Sequence, residues 1–191
     1  MFTAVLLAGG KSRRMGRDKA YLEGNWQGVS MPLWERQLAV LQSVAPEKIV
    51  ISGARKQGYP AATAVLADRW ADVGPLGGIA TCLHQTRSTL LLVLAIDLPQ
   101  IMPGFLMKLL ARSQAGCGVV PFHHNRFEPL IAVYPGAALQ VALDQLQQGD
   151  YVLQHFIDKL LEGGLMIVYD VELSEEHQLK NWNTPEDTGS P

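Results

Sequence analysis

The chain has 191 residues, of which 48% are hydrophobic and 18% charged, and its formal net charge is −2 at pH 7. This length and composition are typical of one globular domain with a single core, so we expect one domain over residues 1–191. The near-neutral charge excludes a whole-molecule attraction to nucleic acid or to an anionic membrane surface, so we expect neither as a partner.

Cysteine usage and hydropathy indicate the compartment. Cys82 and Cys117 show no C-x-x-C spacing and no disulfide framework, which favours a reducing cytoplasm. The first residues lack the basic segment of a signal peptide, and the longest apolar run, 90–96, is far shorter than the roughly 20 residues that span a bilayer. We therefore expect a cytoplasmic protein.

The order of strands and helices predicts the fold class. An apolar run over residues 2–7 indicates a buried first strand, and the aliphatic run over 89–96 indicates a central strand covered on both faces. The other predicted elements are, in chain order, a polar surface turn over 25–30, a helix from Pro32 to before Pro46, strands over 48–52 and 64–67, a helix from the 74–78 turn to about His84, a helix from Pro103 to about Ala115, a strand over 117–121, an edge strand over 127–134, helices over 137–147 and 151–161, and a last strand over 165–171. This alternation predicts an α/β domain with a mainly parallel sheet and an antiparallel edge strand. Ligands of such sheets lie beyond the carboxyl ends of the strands.

A glycine pair follows the first strand and opens a strongly basic segment. Gly9 and Gly10 remove two side chains, so consecutive backbone N–H groups can turn toward an anion. Five of the 16 cationic residues follow within ten positions: Lys11, Arg13, Arg14, Arg17 and Lys19. We interpret the segment as a triphosphate-binding loop; for the glycine pair alone, an ordinary turn before a solvated basic loop is the alternative. The P-loop pattern is excluded because Val5 stands where its first glycine belongs, and the dinucleotide G-x-G-x-x-G pattern has no match.

Two aspartates follow predicted strands. Asp97 comes directly after the most apolar strand, and Leu98-Pro99 stops that strand from continuing. A carboxylate held there suits Mg²⁺, which takes one or two carboxylates together with phosphate and water oxygens. A helix N-cap or turn aspartate is the alternative. Asp68 ends an earlier strand before the 74–78 turn, and an ordinary solvated aspartate is its alternative.

The five histidines form no H-x-x-H or H-E-x-x-H pattern. His123 and His124 are adjacent in a polar segment, and we do not expect them to share one metal ion. No G-x-S-x-G elbow is present, so acyl transfer has no support.

Four motifs, in order along the chain, carry a resemblance to a known family. L-A-G-G-x-S-x-R-M-G-x-D-K occupies residues 7–19, D-x-P residues 97–99, E-P-L-x-A-x-Y residues 128–134 and N-x-N-T-P-E-D residues 181–187. The chain thereby resembles the MobA-like nucleotidyltransferases, the family of molybdenum cofactor guanylyltransferase. The resemblance implies a Rossmann-like three-layer α/β/α fold and Mg²⁺-dependent transfer of GMP from GTP to the terminal phosphate of molybdenum-bound molybdopterin, with release of pyrophosphate. It also implies contacts with proteins of molybdenum cofactor synthesis and insertion.

The resemblance assigns roles around the nucleotide. Asp97 would bind the metal and act catalytically, and Lys19 would be a catalytic residue that contacts the phosphates. Ser52 stands where the family often has asparagine, and its shorter side chain leaves that contact open. Asp68 would accept either the two adjacent N–H donors of guanine or a ribose hydroxyl. The implied nucleotide-binding residues are Leu7, Ala8, Gly9, Gly10, Arg13, Arg14, Lys19, Ser52, Asp68 and Asp97.

The last motif is assigned to the acceptor. Asn181 and Asn183 carry amides that can hydrogen-bond the edge of a pterin, and the family places molybdopterin at this end. Residues 184–187 alone read as a helix start, with threonine as the N-cap and proline first, which explains T-P-E-D without a ligand. That alternative does not explain the two asparagines.

Three alternatives to the guanylyl activity stay open. A related transferase would use CTP on the same acceptor, or a nucleoside triphosphate on a sugar or alcohol phosphate. Gly9 favours the guanylyl branch, because cytidylyl relatives tend to have L-A-A-G. A nucleotide-binding accessory protein without turnover belongs to another class, and the presence of Lys19 and Asp97 argues against it.

Overall fold

A computed structural model of the chain describes residues 1–9, 18–70 and 72–182. The strands are β1 Thr3–Leu7, β2 Glu23–Trp26, β3 Val29–Pro32, β4 Lys48–Ser52, β5 Ala64–Leu66, β6 Leu90–Ala95, β7 Gly118–His123, β8 Arg126–Phe127, β9 Ile131–Pro135 and β10 Met166–Asp170. The α-helices are α1 Leu33–Ser43, α2 Pro75–Thr86, α3 Pro103–Arg112, α4 Ala138–Gln147 and α5 Leu153–Glu162, and short 3-10 helices cover Lys19–Tyr21 and Glu176–Leu179. None of the helices in the described ranges combines the length and apolar composition needed to cross a membrane.

The strands form one large sheet in the order β10-β7-β9-β6-β1-β4-β5, with β8 paired to β7, and β2 and β3 form a separate ribbon. β1 is parallel to β4 and β6, β4 to β5, and β7 to β10. β9 runs antiparallel to both of its neighbours, β6 and β7. The mainly parallel α/β class predicted from the sequence is confirmed.

β1 shows why helices cover both faces of the sheet. All five of its residues are buried, and successive side chains along a strand point to opposite faces. Leu6 belongs to the core cluster that contains Leu38 of α1. Val5 belongs to the other cluster, with Ile79 of α2 and Phe156 of α5. The sheet therefore lies between two helical layers, as the three-layer prediction requires.

The predicted edge strand over 127–134 is divided in the structure. Its first part is β8, which pairs antiparallel with the end of β7, and its second part is β9, which lies inside the sheet between β6 and β7. Every residue of β9 is buried, so its incomplete alternation reflects a strand covered on both faces, not an edge. Gly118 lets β7 approach β9, because a Cβ atom there would lie 2.0 Å from the carbonyl oxygen of Val133.

The predicted surface turn over 25–30 is a β-hairpin formed by β2 and β3. Gln27 and Gly28 have φ angles of 52° and 85°, the pair of positive values that a tight type I′ hairpin turn requires. Buried Arg36 of α1 fixes this hairpin, since its Nε donates to the Asn25 carbonyl at 3.0 Å and its guanidinium to the Ile101 carbonyl at 2.8 Å.

Candidate active site

The carboxyl ends of four neighbouring strands bring the predicted residues to one edge. Leu7 is the last residue of β1 and is aligned with Ser52 of β4 on one side and Ala95 of β6 on the other. Asp68 follows β5 and Asp97 follows β6. Because these strands are parallel, the described site residues lie along the edge where α/β sheets bind their ligands.

The residues at the end of β1 offer mainly backbone to a ligand. Leu7 and Ala8 are 8% and 5% exposed, whereas Gly9 is exposed. The Ala8 N–H donates to the Ser52 carbonyl at 3.0 Å, which continues the β1–β4 pairing by one residue. Gly9 is therefore the first residue after β1 whose backbone is open to the edge.

Gly9, Ser52 and Asp68 form the first of two side-chain groups, here called the Asp68 group. Ser52 Oγ donates to Asp68 Oδ1 at 3.1 Å, and a Cβ atom on Gly9 would lie 3.5 Å from Asp68 Oδ2. Ser52 is only 2% exposed, whereas Asp68 is exposed. We therefore interpret Ser52 as a residue that positions the Asp68 carboxylate; the direct nucleotide contact, which the sequence leaves open for Ser52, stays a prediction.

Two further glycines allow the Asp68 group to form. Gly53 has a φ of 126°, and a Cβ atom there would lie 3.0 Å from the Gly9 nitrogen. Gly78 lies in the first turns of α2, where a Cβ atom would lie 3.0 Å from Ser52 Oγ. A side chain at either position would push against the turn after β1 or against the serine behind Asp68.

Lys19 and Asp97 form the second group, here called the Lys19–Asp97 pair. Lys19 Nζ donates to Asp97 Oδ2 at 3.0 Å, and the two side chains are 16% and 20% exposed. Lys19 begins a short 3-10 helix that is capped by Asp18, whose carboxylate accepts from the Ala20 N–H at 3.0 Å. A carboxylate and an ammonium group are thus held side by side next to the end of β6.

The C-terminal segment reaches the Lys19–Asp97 pair. The Trp182 N–H donates to the backbone carbonyl of Asp97 at 2.9 Å. Asn181, one of the two predicted acceptor residues, is the neighbour of Trp182 and is half-buried. The chain's last motif therefore begins at the edge where the nucleotide phosphates are expected.

Sequence reasoning missed Lys56. Its Nζ lies 2.7 Å from Asp18 Oδ1 and 3.5 Å from the Ala8 carbonyl oxygen. Partial burial alone would raise the pKa of the Asp18 carboxyl, but the hydrogen bonds from Lys56 and the Ala20 N–H, with the Lys56 charge, bring that pKa below its ordinary value. Lys56 lies in a polar turn, and only the β1–β4 pairing shows that this turn reaches the site.

Several predicted site residues fall outside the described ranges. These are Gly10, Arg13, Arg14 and Asn183. Their assigned roles stay predictions.

A three-layer fold with carboxylate and ammonium groups along the carboxyl edge of its sheet is an arrangement suited to a nucleotide-binding enzyme. Comparison with known proteins makes the class specific: the chain belongs to the family described as the MobA-like NTP transferase domain, whose model matches residues 4–163. This confirms the resemblance and the nucleotidyltransferase class.

Similar proteins cover almost the whole chain. A probable molybdenum cofactor guanylyltransferase of Opitutus terrae is 34% identical over 96% of this chain and 91% of its own length. A molybdenum cofactor guanylyltransferase of Xanthomonas euvesicatoria is 35% identical over 97% and 91%. Among solved structures, molybdopterin-guanine dinucleotide biosynthesis protein A from Archaeoglobus fulgidus is 27% identical, with a TM-score of 0.76 over 98% of this chain and 95% of that one.

Proposed function

We propose that this chain transfers GMP from GTP to the terminal phosphate of molybdenum-bound molybdopterin and releases pyrophosphate. The observation that carries the proposal is the Lys19–Asp97 pair, with its 3.0 Å contact at the carboxyl edge beside the open backbone of Gly9. The names of the similar proteins support GTP and molybdopterin as the two substrates.

The reaction requires little proton transfer by the protein. A phosphate monoester has a second pKa near 6, so the acceptor phosphate is already a dianion at neutral pH. One of its oxygens forms a bond to the α-phosphorus of GTP, while the bond from that phosphorus to the oxygen bridging toward the β-phosphate breaks. Pyrophosphate leaves with the electron pair. The protein must align two anions and offset their repulsion, which is the main requirement of phosphoryl-type transfer.

The Lys19–Asp97 pair suits a metal-bound triphosphate. Mg²⁺ prefers one or two carboxylates, with phosphate and water oxygens completing its shell, and Asp97 offers a carboxylate that is 20% exposed. When bound there, Mg²⁺ would screen the negative charge of the phosphates. Lys19 would hold phosphate oxygens with its ammonium group, and Gly9 would add a backbone N–H.

The Asp68 group occupies a different part of the edge. Asp68 follows β5, whereas Asp97 follows β6, and β1 and β4 lie between these strands. With its phosphates at Asp97, a nucleotide that extends along the edge brings its base and ribose toward Asp68. We assign the Asp68 carboxylate to the two N–H donors of guanine, with Ser52 holding it in place.

The change of Asp68 to asparagine tests this assignment. Hydrogen bonds to a charged group contribute about 1.5–3 kcal/mol, so we expect GTP affinity to fall by about tenfold or more. ITP lacks the 2-amino group of guanine and already forms one bond fewer, so the preference of the unaltered chain for GTP over ITP should largely disappear in the variant. Equal losses for GTP and ITP, measured by calorimetry, would instead place the carboxylate on the ribose.

Pyrophosphate exchange tests the proposed reaction itself. The purified chain is incubated with Mg²⁺, molybdenum-bound molybdopterin and labelled pyrophosphate in the presence of GTP, CTP or ATP. We expect label to enter GTP alone, and only when the acceptor and a divalent metal are both present. Label in CTP would assign the cytidylyl branch, exchange with a sugar or alcohol phosphate in place of molybdopterin would assign another acceptor, and no exchange at all would favour an accessory role.

We also propose that the reaction takes place in the cytoplasm. Cys82 and Cys117 are both free thiols, as expected in a reducing cytoplasm. We expect the dinucleotide product to pass to proteins of molybdenum cofactor synthesis and insertion.

A further inference from the structure

Three potential metal ligands meet outside the Asp68 group and the Lys19–Asp97 pair, at the same carboxyl edge of the sheet, where β7 ends two strands from β6. They are His123 and His124, at the turn after β7, and Glu176, at the start of the second 3-10 helix. His123 Nε2 lies 3.6 Å from Glu176 Oε1, and His124 Nε2 lies 3.9 Å from Glu176 Oε2. One ligand atom from each residue lies within 4.8 Å of the other two.

The hydrogen bonding within this group of three side chains is incomplete. His123 Nε2 is buried and has no hydrogen-bond partner among the residues that the structure describes, although a carboxylate oxygen faces it. A buried polar atom without a partner is uncommon and unfavourable, so it calls for an explanation. Each oxygen of Glu176 faces a different imidazole. The three side chains therefore converge on one point, and Glu176 does not pair with one histidine alone.

The fold holds both histidines in place. His124 and Asn125 have φ angles of 47° and 58°, so they form a tight left-handed turn between β7 and β8. His123 is paired with Arg126 across that turn. The two imidazoles lie with ring centroids 3.8 Å apart.

Glu176 is held from the other side by its neighbours in the C-terminal segment. Buried Glu175 accepts hydrogen bonds from Lys108 Nζ at 2.8 Å and from the Tyr169 hydroxyl at 2.5 Å. Gln178 accepts from the Met102 N–H at 3.0 Å. These contacts anchor the short helix to α3 and β10, which leaves Glu176 pointing at the histidines.

The sequence predicts that His123 and His124 do not share a metal ion, but the fold brings Glu176 to both of them. We propose that His123, His124 and Glu176 bind a divalent transition-metal ion of the zinc class. Two histidines and a carboxylate are a standard zinc ligand set, and bonds of about 2.0–2.1 Å in a tetrahedron put neighbouring ligand atoms about 3.3 Å apart. The two nitrogen–oxygen distances, 3.6 and 3.9 Å to different oxygens of Glu176, exceed that spacing by about 0.3 and 0.6 Å, and the three ligand atoms lie within 4.8 Å of one another, so side-chain rotation would bring them to the bonding distances. His124 is 72% exposed, so the ion can enter from solvent and water can complete the shell.

A site with three protein ligands and an open fourth position also occurs in catalytic zinc centres; here we assign the ion a structural role because it would link two separate segments of the chain. It would join the β7–β8 turn to the helix that leads within a few residues to Trp182, whose N–H is bound to the Asp97 carbonyl. The metal would thereby stabilise the segment that carries the predicted acceptor residue Asn181. None of the three ligands belongs to the Asp68 group or the Lys19–Asp97 pair, so metal binding can be measured without nucleotide.

The experiment uses the tag-free full chain, stripped with a chelator and titrated with Zn²⁺ without nucleotide. We expect one equivalent to bind, to raise the thermal midpoint and to slow amide exchange over residues 172–182. Co²⁺ in the same site should give the visible absorption bands of a tetrahedral complex. His124→Ala and Glu176→Gln alter exposed or partly exposed side chains and should weaken binding by at least about tenfold, since loss of even an outer-shell partner has effects of that size.

His155→Ala is the matched control, because His155 is an exposed histidine on α5 that contacts Asp150 and lies outside the group. It should bind Zn²⁺ like the unaltered chain. Unchanged Zn²⁺ affinity in His124→Ala and Glu176→Gln would overturn the proposal. Failure of the unaltered chain to bind one equivalent of Zn²⁺ tightly would overturn it as well. Tight binding without added protection over 172–182 would contradict the structural role.

Discussion

Asp97→Asn is expected to abolish most turnover while the fold stays intact. Asparagine keeps the shape of aspartate and an oxygen that accepts from Lys19, but it loses the charge that would hold Mg²⁺. The Trp182 contact uses the backbone carbonyl of Asp97, so the substitution leaves it in place. Loss of one preorganised electrostatic group in comparable sites lowers turnover by about 10²- to 10³-fold, and we expect an effect of that size.

The measurement is the rate of dinucleotide formation at saturating GTP and acceptor, together with the thermal midpoint. Asp158→Asn is the matched control, because Asp158 is exposed on α5. The control should retain full turnover, and both variants should melt close to the unaltered chain. Normal turnover in Asp97→Asn would refute the role of this carboxylate.

Lys19→Ala is expected to act mainly on nucleotide binding. Its ammonium group would donate charge-assisted hydrogen bonds to phosphate oxygens, and such bonds contribute about 1.5–3 kcal/mol, so the GTP dissociation constant should rise about 10- to 100-fold. The substitution also leaves Asp97 facing the phosphates without its neighbouring positive charge. Turnover at saturating GTP should fall less than in Asp97→Asn.

Calorimetric titration with GTP and Mg²⁺ measures this effect. Lys48→Ala is the control, because Lys48 is an exposed lysine at the amino end of β4, across the sheet from the site. Its removal should leave GTP affinity unchanged. The salt dependence of GTP binding should weaken in Lys19→Ala alone, since one phosphate contact is lost. An unaltered GTP affinity in Lys19→Ala would show that Lys19 does not contact the phosphates.

Local sequence was enough to predict the central strands and the position of the site residues at one edge of the sheet. The run that forms β6 is apolar at every position and the run that forms β1 at every position except Thr3, which is typical of strands covered on both faces. Once these strands are parallel, Gly9 and Asp97 must lie at the same edge. The motif resemblance assigns both Lys19 and Asp97 to the nucleotide, and their side chains lie in contact at 3.0 Å. Their roles stay predictions.

Pairing between distant segments is what the sequence did not show. The interior position of β9 depends on the space that Gly118 leaves in β7. A single glycine in a strand can indicate a close backbone approach, but it does not show which segment approaches. The sequence predicts a plain turn where β2 and β3 form a hairpin, because Gln27-Gly28 is not one of the common hairpin dipeptides. The same limit applies to contacts between side chains. That Ser52 contacts Asp68, and that Glu176 faces His123 outside the candidate active site, depends on the folded chain and has no local signal in the sequence.

A crystal structure of the chain with bound GTP and Mg²⁺ tests the central claim most directly. The account predicts that the triphosphate lies against the backbone at Gly9, with Lys19 on phosphate oxygens, Mg²⁺ on the Asp97 carboxylate and the guanine toward Asp68. A triphosphate bound elsewhere, with the Lys19–Asp97 contact unchanged and no metal on Asp97, would contradict it.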